Sequence, residues 1–381
     1  MIPLRAGHEI EGNPMHDHTC SCGHGHEHEE DCCCGHEHEH GHAHDHAHSH
    51  ADNCDCGGHH EHQHDELVAI VTDEETENEL LDSGWLLGGL HRTAQYSAPE
   101  PTREFDFSWN GQTLHVYQWG EEGIPVVMLH GFMQTGMSWA GVASNLAEGR
   151  CVYALDFIGH GKSSKPAQPE FYTYEAAASS VVAFLNEVAC NPASSRAHLI
   201  GYSMGGRVAL GVVQQAPEKL YSLTLESCNL GCVSEEERTE AAQRNNGWAA
   251  KLREEGIVPF VEYWEALPMF ETQREMGFDA LLREERQAND AQAMALCLEG
   301  MGKHAMPLQS ESMGTLAAAW LPIKYIWGYD DPKAEPVAHL FGHEGFDVTS
   351  FGTGHNVHLE APSLYTGAVQ EFLSGLEPKG C

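Results

Sequence analysis

Positive charge is scarce in this chain of 381 residues: 20 Lys and Arg stand against 57 Asp and Glu, a formal net charge of −37. Such a balance excludes nucleic acid and anionic membrane surfaces as expected partners, because both repel a polyanion. Long apolar runs are missing too. No stretch approaches the ~20 residues that a membrane-spanning helix needs, and Met1-Ile2-Pro3-Leu4-Arg5-Ala6-Gly7 has no hydrophobic core of a signal peptide. A cytoplasmic protein is the expectation. None of the 13 cysteines falls in the Cys-x2-Cys spacing of a zinc finger. Six of them (Cys151, Cys190, Cys228, Cys232, Cys297, Cys381) are scattered, which suits a reducing compartment rather than a disulfide framework.

What is abundant at the start of the chain is histidine. Residues 1–66 hold 18 of the 28 histidines and seven cysteines, interspersed with acids and almost no large apolar side chains. This composition cannot bury enough apolar surface to offset chain entropy, so the segment is expected to be a disordered tail. Its alternating runs supply His36, His38, His40, His42, His44, His46, His48 and His50, and its cysteines include Cys32, Cys33, Cys34, Cys54 and Cys56. Imidazole, thiolate and carboxylate together suit Zn, Ni, Co or Cu ions, held loosely at several exchangeable sites. Metal buffering or storage is the expected role, with a merely solubilising extension as the alternative. Residues 67–102 form a transition: Leu67-Val68-Ala69-Ile70-Val71 suggests a strand or helical turn, residues 74–81 a short acidic helix, and Trp85-Leu86-Leu87-Gly88-Gly89-Leu90 an apolar docking patch. Ala98-Pro99-Glu100-Pro101 reads as a linker.

From residue 103 strand and helix patterns alternate. Residues 104–109 and 113–119 flank Asn110-Gly111, the signature of a tight hairpin. The continuous apolar runs 124–129, 151–156, 197–200, 220–225 and 323–328 read as strands buried on both faces, as in a parallel sheet. Between them, residues 138–146, 174–189 and 208–215 read as helices, a last strand spans 346–350, and 362–376 close the chain as a helix. The expected architecture is a mostly parallel, doubly wound α/β sheet. Residues 103–228 and 321–381 form its two parts, and 229–320 form an all-helical cap between them.

The chemistry centres on Gly201-Tyr202-Ser203-Met204-Gly205, placed between a strand and a helix. Small residues on either side allow a sharp turn that lifts the Ser203 hydroxyl to the N-terminus of the following helix. Serine at its own pKa is a poor nucleophile, so an imidazole must take its proton and a carboxylate must orient that imidazole. In chain order, Asp331 after one strand and His355 after the last supply them, with Asp330 the competing acid. The backbone N–H groups of Phe132 and Met204 are the natural oxyanion hole. His130, Asp156 and His160 read as structural residues at strand ends.

This order of motifs over residues 103–377 resembles the α/β-hydrolase superfamily, with the α/β-hydrolase fold. More narrowly, Gly201-Tyr202-Ser203-Met204-Gly205-Gly206-Arg207 and Gly354-His355-Asn356-Val357-His358 are similar to 2-succinyl-6-hydroxy-2,4-cyclohexadiene-1-carboxylate synthase of menaquinone biosynthesis. So are the run 260–270 with Trp264, Pro268 and Phe270, the pair Arg286 and Asn289, and Met301-Gly302. The resemblance implies a lyase that eliminates pyruvate from an enolpyruvyl cyclohexene carboxylate without metal or organic cofactor. It implies a small anionic substrate held by Arg207, Arg286, Tyr202 and Trp264. Two positions depart from the pattern. Where the family carries a further substrate arginine this chain has Ala241, so either Arg238 or Arg244 compensates or the substrate differs, and Asp331-Pro332-Lys333-Ala334 keeps the family's lysine and loses the aromatic residue after it. An esterase or carbon–carbon hydrolase of the same fold is the alternative, as is a metal-buffering protein with a vestigial enzyme domain.

Overall fold

The computed structural model describes residues 98–189 and 195–377. The tail cysteines and histidines, the transition runs 67–71, 74–81 and 85–90, and Cys190 and Cys381 lie outside the described residues. Eight strands form one sheet in the order β1-β2-β4-β3-β5-β6-β7-β8. They are β1 (Arg103–Trp109), β2 (Gln112–Trp119), β3 (Ile124–Leu129), β4 (Arg150–Leu155), β5 (Ala197–Tyr202), β6 (Leu220–Glu226), β7 (Ile323–Gly328) and β8 (Asp347–Phe351). β2 pairs antiparallel with both β1 and β4, and every other pairing is parallel. Asn110 and Gly111 both take positive φ, 48° and 75°, which a two-residue turn matching the strand twist requires.

The interior strands are mostly apolar because both faces are covered, with a few buried polar residues such as His198, Thr224 and Glu226. Along β3, Val127 and Leu129 enter one core and Val126 and Met128 the other, the period-two alternation of a strand. Helices Ala140–Leu146 and Pro362–Leu376 pack on the second core through Val142, Leu146, Tyr365, Val369 and Leu373. Helices Tyr174–Phe184, Met204–Gln215 and Glu335–His343 cover the first through Val181, Phe184, Val208, Val212 and Phe341. The segment expected as one helix over 174–189 changes at Leu185 to a π-helical turn ending at Ala189. The strand expected at 346–350 is shifted by one residue.

Between β6 and β7 the described chain is helical. Helix Glu235–Glu255 begins at Ser234, whose hydroxyl accepts from the N–H of Glu237, places three glutamates in its first turn, and ends at Gly256 with φ 83°. Asn245 on this helix donates to the carbonyl of Leu298 at 2.9 Å, tying it to helix Ala291–Gly300. Helices Ile257–Glu265 and Phe278–Gln287 complete the layer that faces the C-terminal ends of the strands. Among the described residues, no helix is long and apolar enough to cross a membrane.

Candidate active site

β5 ends at Tyr202 and helix Met204–Gln215 begins two residues later, so Ser203 must turn the chain alone. It does so at φ 50°, ψ −105°, a conformation that non-glycine residues rarely hold. The turn needs bare neighbours. A Cβ on Gly201 would lie 2.6 Å from the carbonyl oxygen of Gly205, and one on Gly205 would lie 2.2 Å from that of Leu129. The helix therefore starts at Met204, four residues before the apolar run that marks it in the sequence. The N–H of Ser203 is held by the carbonyl of Glu226 at 2.8 Å.

Three side chains from three strand ends meet in one hydrogen-bonded line. Ser203 Oγ lies 3.0 Å from His355 Nε2, and His355 Nδ1 lies 2.5 Å from Asp331 Oδ2. Asp331 is fully buried and takes a second hydrogen bond from the N–H of Lys333 at 3.0 Å, whereas the neighbouring Asp330 is exposed. Burial alone would raise the Asp331 carboxyl. The adjacent His355 imidazole and the hydrogen bonds outweigh it and hold the acid below its ordinary value. The carboxylate fixes Nδ1 as the donor, which leaves Nε2 free to accept from Ser203.

Phe132 and Met204 line the same cavity as Ser203. Met204 is the first residue of its helix, so its N–H has no acceptor within that helix. The loop carrying Phe132 is fixed from three directions. His130, fully buried, accepts the N–H of Phe157 on Nε2 and so donates from Nδ1 to Gly131. Gln134 accepts the N–H of Gly131, and Asn289 of the cap donates to the carbonyl of Met133. Asp156 is buried and accepts from the N–H groups of Gly136 and Lys162, which places it in loop support. His160, also buried, packs edge-on to His130 and Phe132.

A cavity of about 610 Å³ opens over this line of residues. Ser203, His355 and Phe132 form its floor, Trp248, Trp264 and Met301 its apolar wall, and Arg207, Arg244, Lys303 and Lys333 its charged positions. Among the described residues no aspartate or glutamate lines it, although Lys303 is ion-paired with Glu237. Arg207 is half-buried, one turn beyond Ser203, and its Nε donates to the carbonyl of Met301 at 3.3 Å. Burial pushes its guanidinium down to about 10, opposed by Cys228 and Tyr174, and among the described residues no carboxylate partners it. An inner recess beside Ser203 is lined by Tyr202, Gln134, Phe270 and Arg286. Arg286 is buried there and pairs with Glu265 at 3.1 Å, so its charge is already matched.

Arg238 is not brought to the cavity. Its guanidinium is engaged by Glu235 at 2.7 Å and by the carbonyl of Met306 at 3.1 Å. Ala241 is fully buried, and Arg244, the next turn along the same helix, faces the cavity instead. Lys303 and Lys333 were not expected in the site. Lys303 follows Met301-Gly302 and Lys333 follows Asp331 by two residues, so position next to a motif is the signal that finds them.

The α/β-hydrolase family model, described as alpha/beta hydrolase fold, matches residues 124–362. The Bacillus subtilis (strain 168) protein provisionally named 2-succinyl-6-hydroxy-2,4-cyclohexadiene-1-carboxylate synthase is 29% identical over 257 residues, 66% of this chain and 90% of that protein. The synthase of that name from Enterobacter sp. (strain 638) is 28% identical over 255 residues, 67% of this chain and 93% of its own. Among solved structures, MenH from S. aureus superposes with a TM-score of 0.63 at 24% identity, covering 69% of this chain and 99% of that one. A malate-bound thermophilic esterase from Thermogutta terrifontis gives 0.61 at 23%, covering 73% and 100%.

Proposed function

Because the chain belongs to the α/β-hydrolase fold family, we propose that its Ser203–His355–Asp331 line abstracts a proton from a small polyanionic substrate and eliminates pyruvate. The substrate in this reading is 2-succinyl-5-enolpyruvyl-6-hydroxy-3-cyclohexene-1-carboxylate and the product 2-succinyl-6-hydroxy-2,4-cyclohexadiene-1-carboxylate. The synthases at 28–29% identity support that choice. The observation that carries it is Arg207: among the described residues, a half-buried guanidinium with no carboxylate partner, in a cavity that also presents Arg244 and Lys333, with Lys303 paired to Glu237, within a chain of net charge −37. A protein this acidic leaves cations unpaired where an anion is to bind.

In this mechanism His355 Nε2 takes the Ser203 proton, and the resulting alkoxide removes a ring proton from the substrate. Asp331 stabilises the imidazolium that forms. Electrons from the broken C2–H bond form the C2=C3 double bond, the ring's C3=C4 pair shifts to C4=C5, the C5–O bond to the enolpyruvyl group breaks, and the leaving enolate takes up a proton to become pyruvate. The N–H groups of Phe132 and Met204 face the charge that develops beside Ser203, and Arg207 and Arg244 hold carboxylates. No metal or organic cofactor takes part in these steps. In the same reading the His- and Cys-rich residues 1–66 bind transition-metal ions as a module separate from catalysis.

A second reading, ester or carbon–carbon bond hydrolysis, draws on a different observation, the serine with an imidazole at 3.0 Å backed by a buried carboxylate. The deciding experiment supplies the enolpyruvyl precursor in situ from the preceding enzyme and follows pyruvate. Rapid release that is abolished in Ser203→Ala establishes the lyase. Absence of release together with turnover of p-nitrophenyl esters assigns the hydrolase.

A further inference from the structure

Glu226 closes β6 directly beside Tyr202 on β5, and its two ends are committed to different halves of the site. Its backbone carbonyl accepts the N–H of Ser203 at 2.8 Å. Its carboxylate accepts the backbone N–H of His358 at 3.0 Å and meets His358 Nδ1 at 2.9 Å through both oxygens. His358 lies three residues beyond His355. Both side chains are fully buried, and neither lines the reaction cavity.

A buried carboxylate is costly unless its lone pairs are filled, so the arrangement has to be specific to persist. An oxygen acceptor on Nδ1 makes Nδ1 the donor and sets the His358 tautomer. Trp139 stacks on the ring at 4.0 Å and 21°, and Tyr202 meets it edge-on at 4.9 Å, so the imidazole cannot swing. On the other side of His355, Glu360 accepts the N–H groups of Gly354 and Asn356. Those bonds shape the loop internally. Glu226 ties the loop to the residue that holds the nucleophile.

We infer that Glu226 and His358 are positioning residues, a carboxylate–imidazole strut that sets the separation of Ser203 Oγ from His355 Nε2. The inference rests on the reading of those two atoms as the reacting pair, and it applies equally to elimination and hydrolysis. Misplacing a reacting group by about 1 Å costs on the order of 10²-fold in rate.

The test uses the full chain and the second-order rate of Ser203 labelling by a fluorophosphonate, with Ser203→Ala as control and urea midpoints measured in parallel. Glu226→Leu is expected to label ~10²-fold more slowly. Glu226→Gln keeps the length and an acceptor for the His358 N–H, and recovers to within roughly 5-fold of wild type, whereas Glu226→Asp, about one methylene short, stays at least 10-fold slow despite its charge. If Glu226→Leu fails to fold, the order Gln above Asp decides alone. Folded variants that lose stability yet label at the wild-type rate overturn the strut, as does Asp matching Gln. A wild-type chain that takes no label at Ser203, or a Ser203→Ala chain that labels equally, overturns the reading of the reacting pair instead.

Discussion

Arg207 and Ser203 are joined through the first turn of one helix: the N–H of Arg207 donates to the carbonyl of Ser203 at 3.1 Å. The strained turn that presents the hydroxyl therefore also sets the position of the unpaired guanidinium. Charge-assisted hydrogen bonds contribute about 1.5–3 kcal/mol each. Arg207→Ala is accordingly expected to lower kcat/KM for an anionic substrate by roughly 10²-fold. Its turnover of a neutral ester such as p-nitrophenyl acetate should stay within a few-fold of wild type. Equal losses on both substrates would mean that the arginine supports the elbow rather than the anion.

The second prediction concerns the cap arginines. Arg244 is exposed at the cavity and lies over the Trp248 ring at 5.6 Å, while Arg238 is occupied by Glu235 and Met306. An exposed charge contact contributes up to about 1 kcal/mol. Arg244→Ala should thus raise KM several-fold with kcat little changed, and Arg238→Ala should leave both constants alone. Steady-state kinetics of the two variants side by side decides it. The reverse pattern would place the compensating arginine at 238.

The third prediction separates the tail from the enzyme. Deleting residues 1–66 leaves the segment matched to the family, 124–362, untouched, while removing 18 histidines and seven cysteines. Equilibrium dialysis against Zn²⁺ should show loss of several bound ions per chain, with kcat and KM unchanged. A fall in kcat that added Zn²⁺ cannot restore to the full-length protein after chelation would point to contacts between tail and enzyme.

Legibility in the sequence followed the strength of the local constraint. Asn110-Gly111 and Gly201-x-Ser203-x-Gly205 each demand a backbone that few residues tolerate, so the hairpin and the elbow were readable from composition alone. Strands β3 to β7 were readable because burial on both faces makes them predominantly apolar, β3 without interruption and the others around a few polar residues such as His198, Thr224 and Lys324. Asp331 reads as the acid with Asp330 as its competitor, and the hydrogen bond to His355 falls on Asp331. The choice depends on which of two adjacent residues is buried at the end of β7. The cap resisted for a similar reason. Helix Glu235–Glu255 is strongly polar, and its one buried stripe, Ala241, Asn245, Ala249 and Leu252, is narrow and built largely from small or polar residues. The face that carries Arg244 and turns Arg238 away is set by packing against Ala291–Gly300. His358 stands in the motif that carries His355, but its pairing with Glu226 has no local signature, since it joins positions 132 residues apart.

The fourth prediction is a pH dependence of stability. His198 is fully buried at the start of β5, its Nδ1 2.7 Å from Ser222 Oγ and its Nε2 3.4 Å from Glu377, which also pairs with Arg150. Burial pushes the imidazole down to about 4 in spite of the Glu377 charge. In the unfolded chain the same group titrates near ~6.5. Below that value the unfolded state binds a proton that the folded state does not, so this histidine's contribution is complete above pH ~6.5 and is lost progressively toward about 4. Between pH 7 and pH 5 the loss amounts to about 2 kcal/mol. Other groups titrate in the same window: His130 is also pushed to about 4 by burial, and approach to the pI near 5.0 relieves repulsion among the acidic residues. The comparison with His198→Gln isolates the one group. Urea midpoints at pH 7 and pH 5 should differ less in the variant than in wild type, by the equivalent of about 2 kcal/mol. An identical pH dependence would mean that His198 is protonated in the fold, paired with Glu377 as an ion pair beneath the sheet.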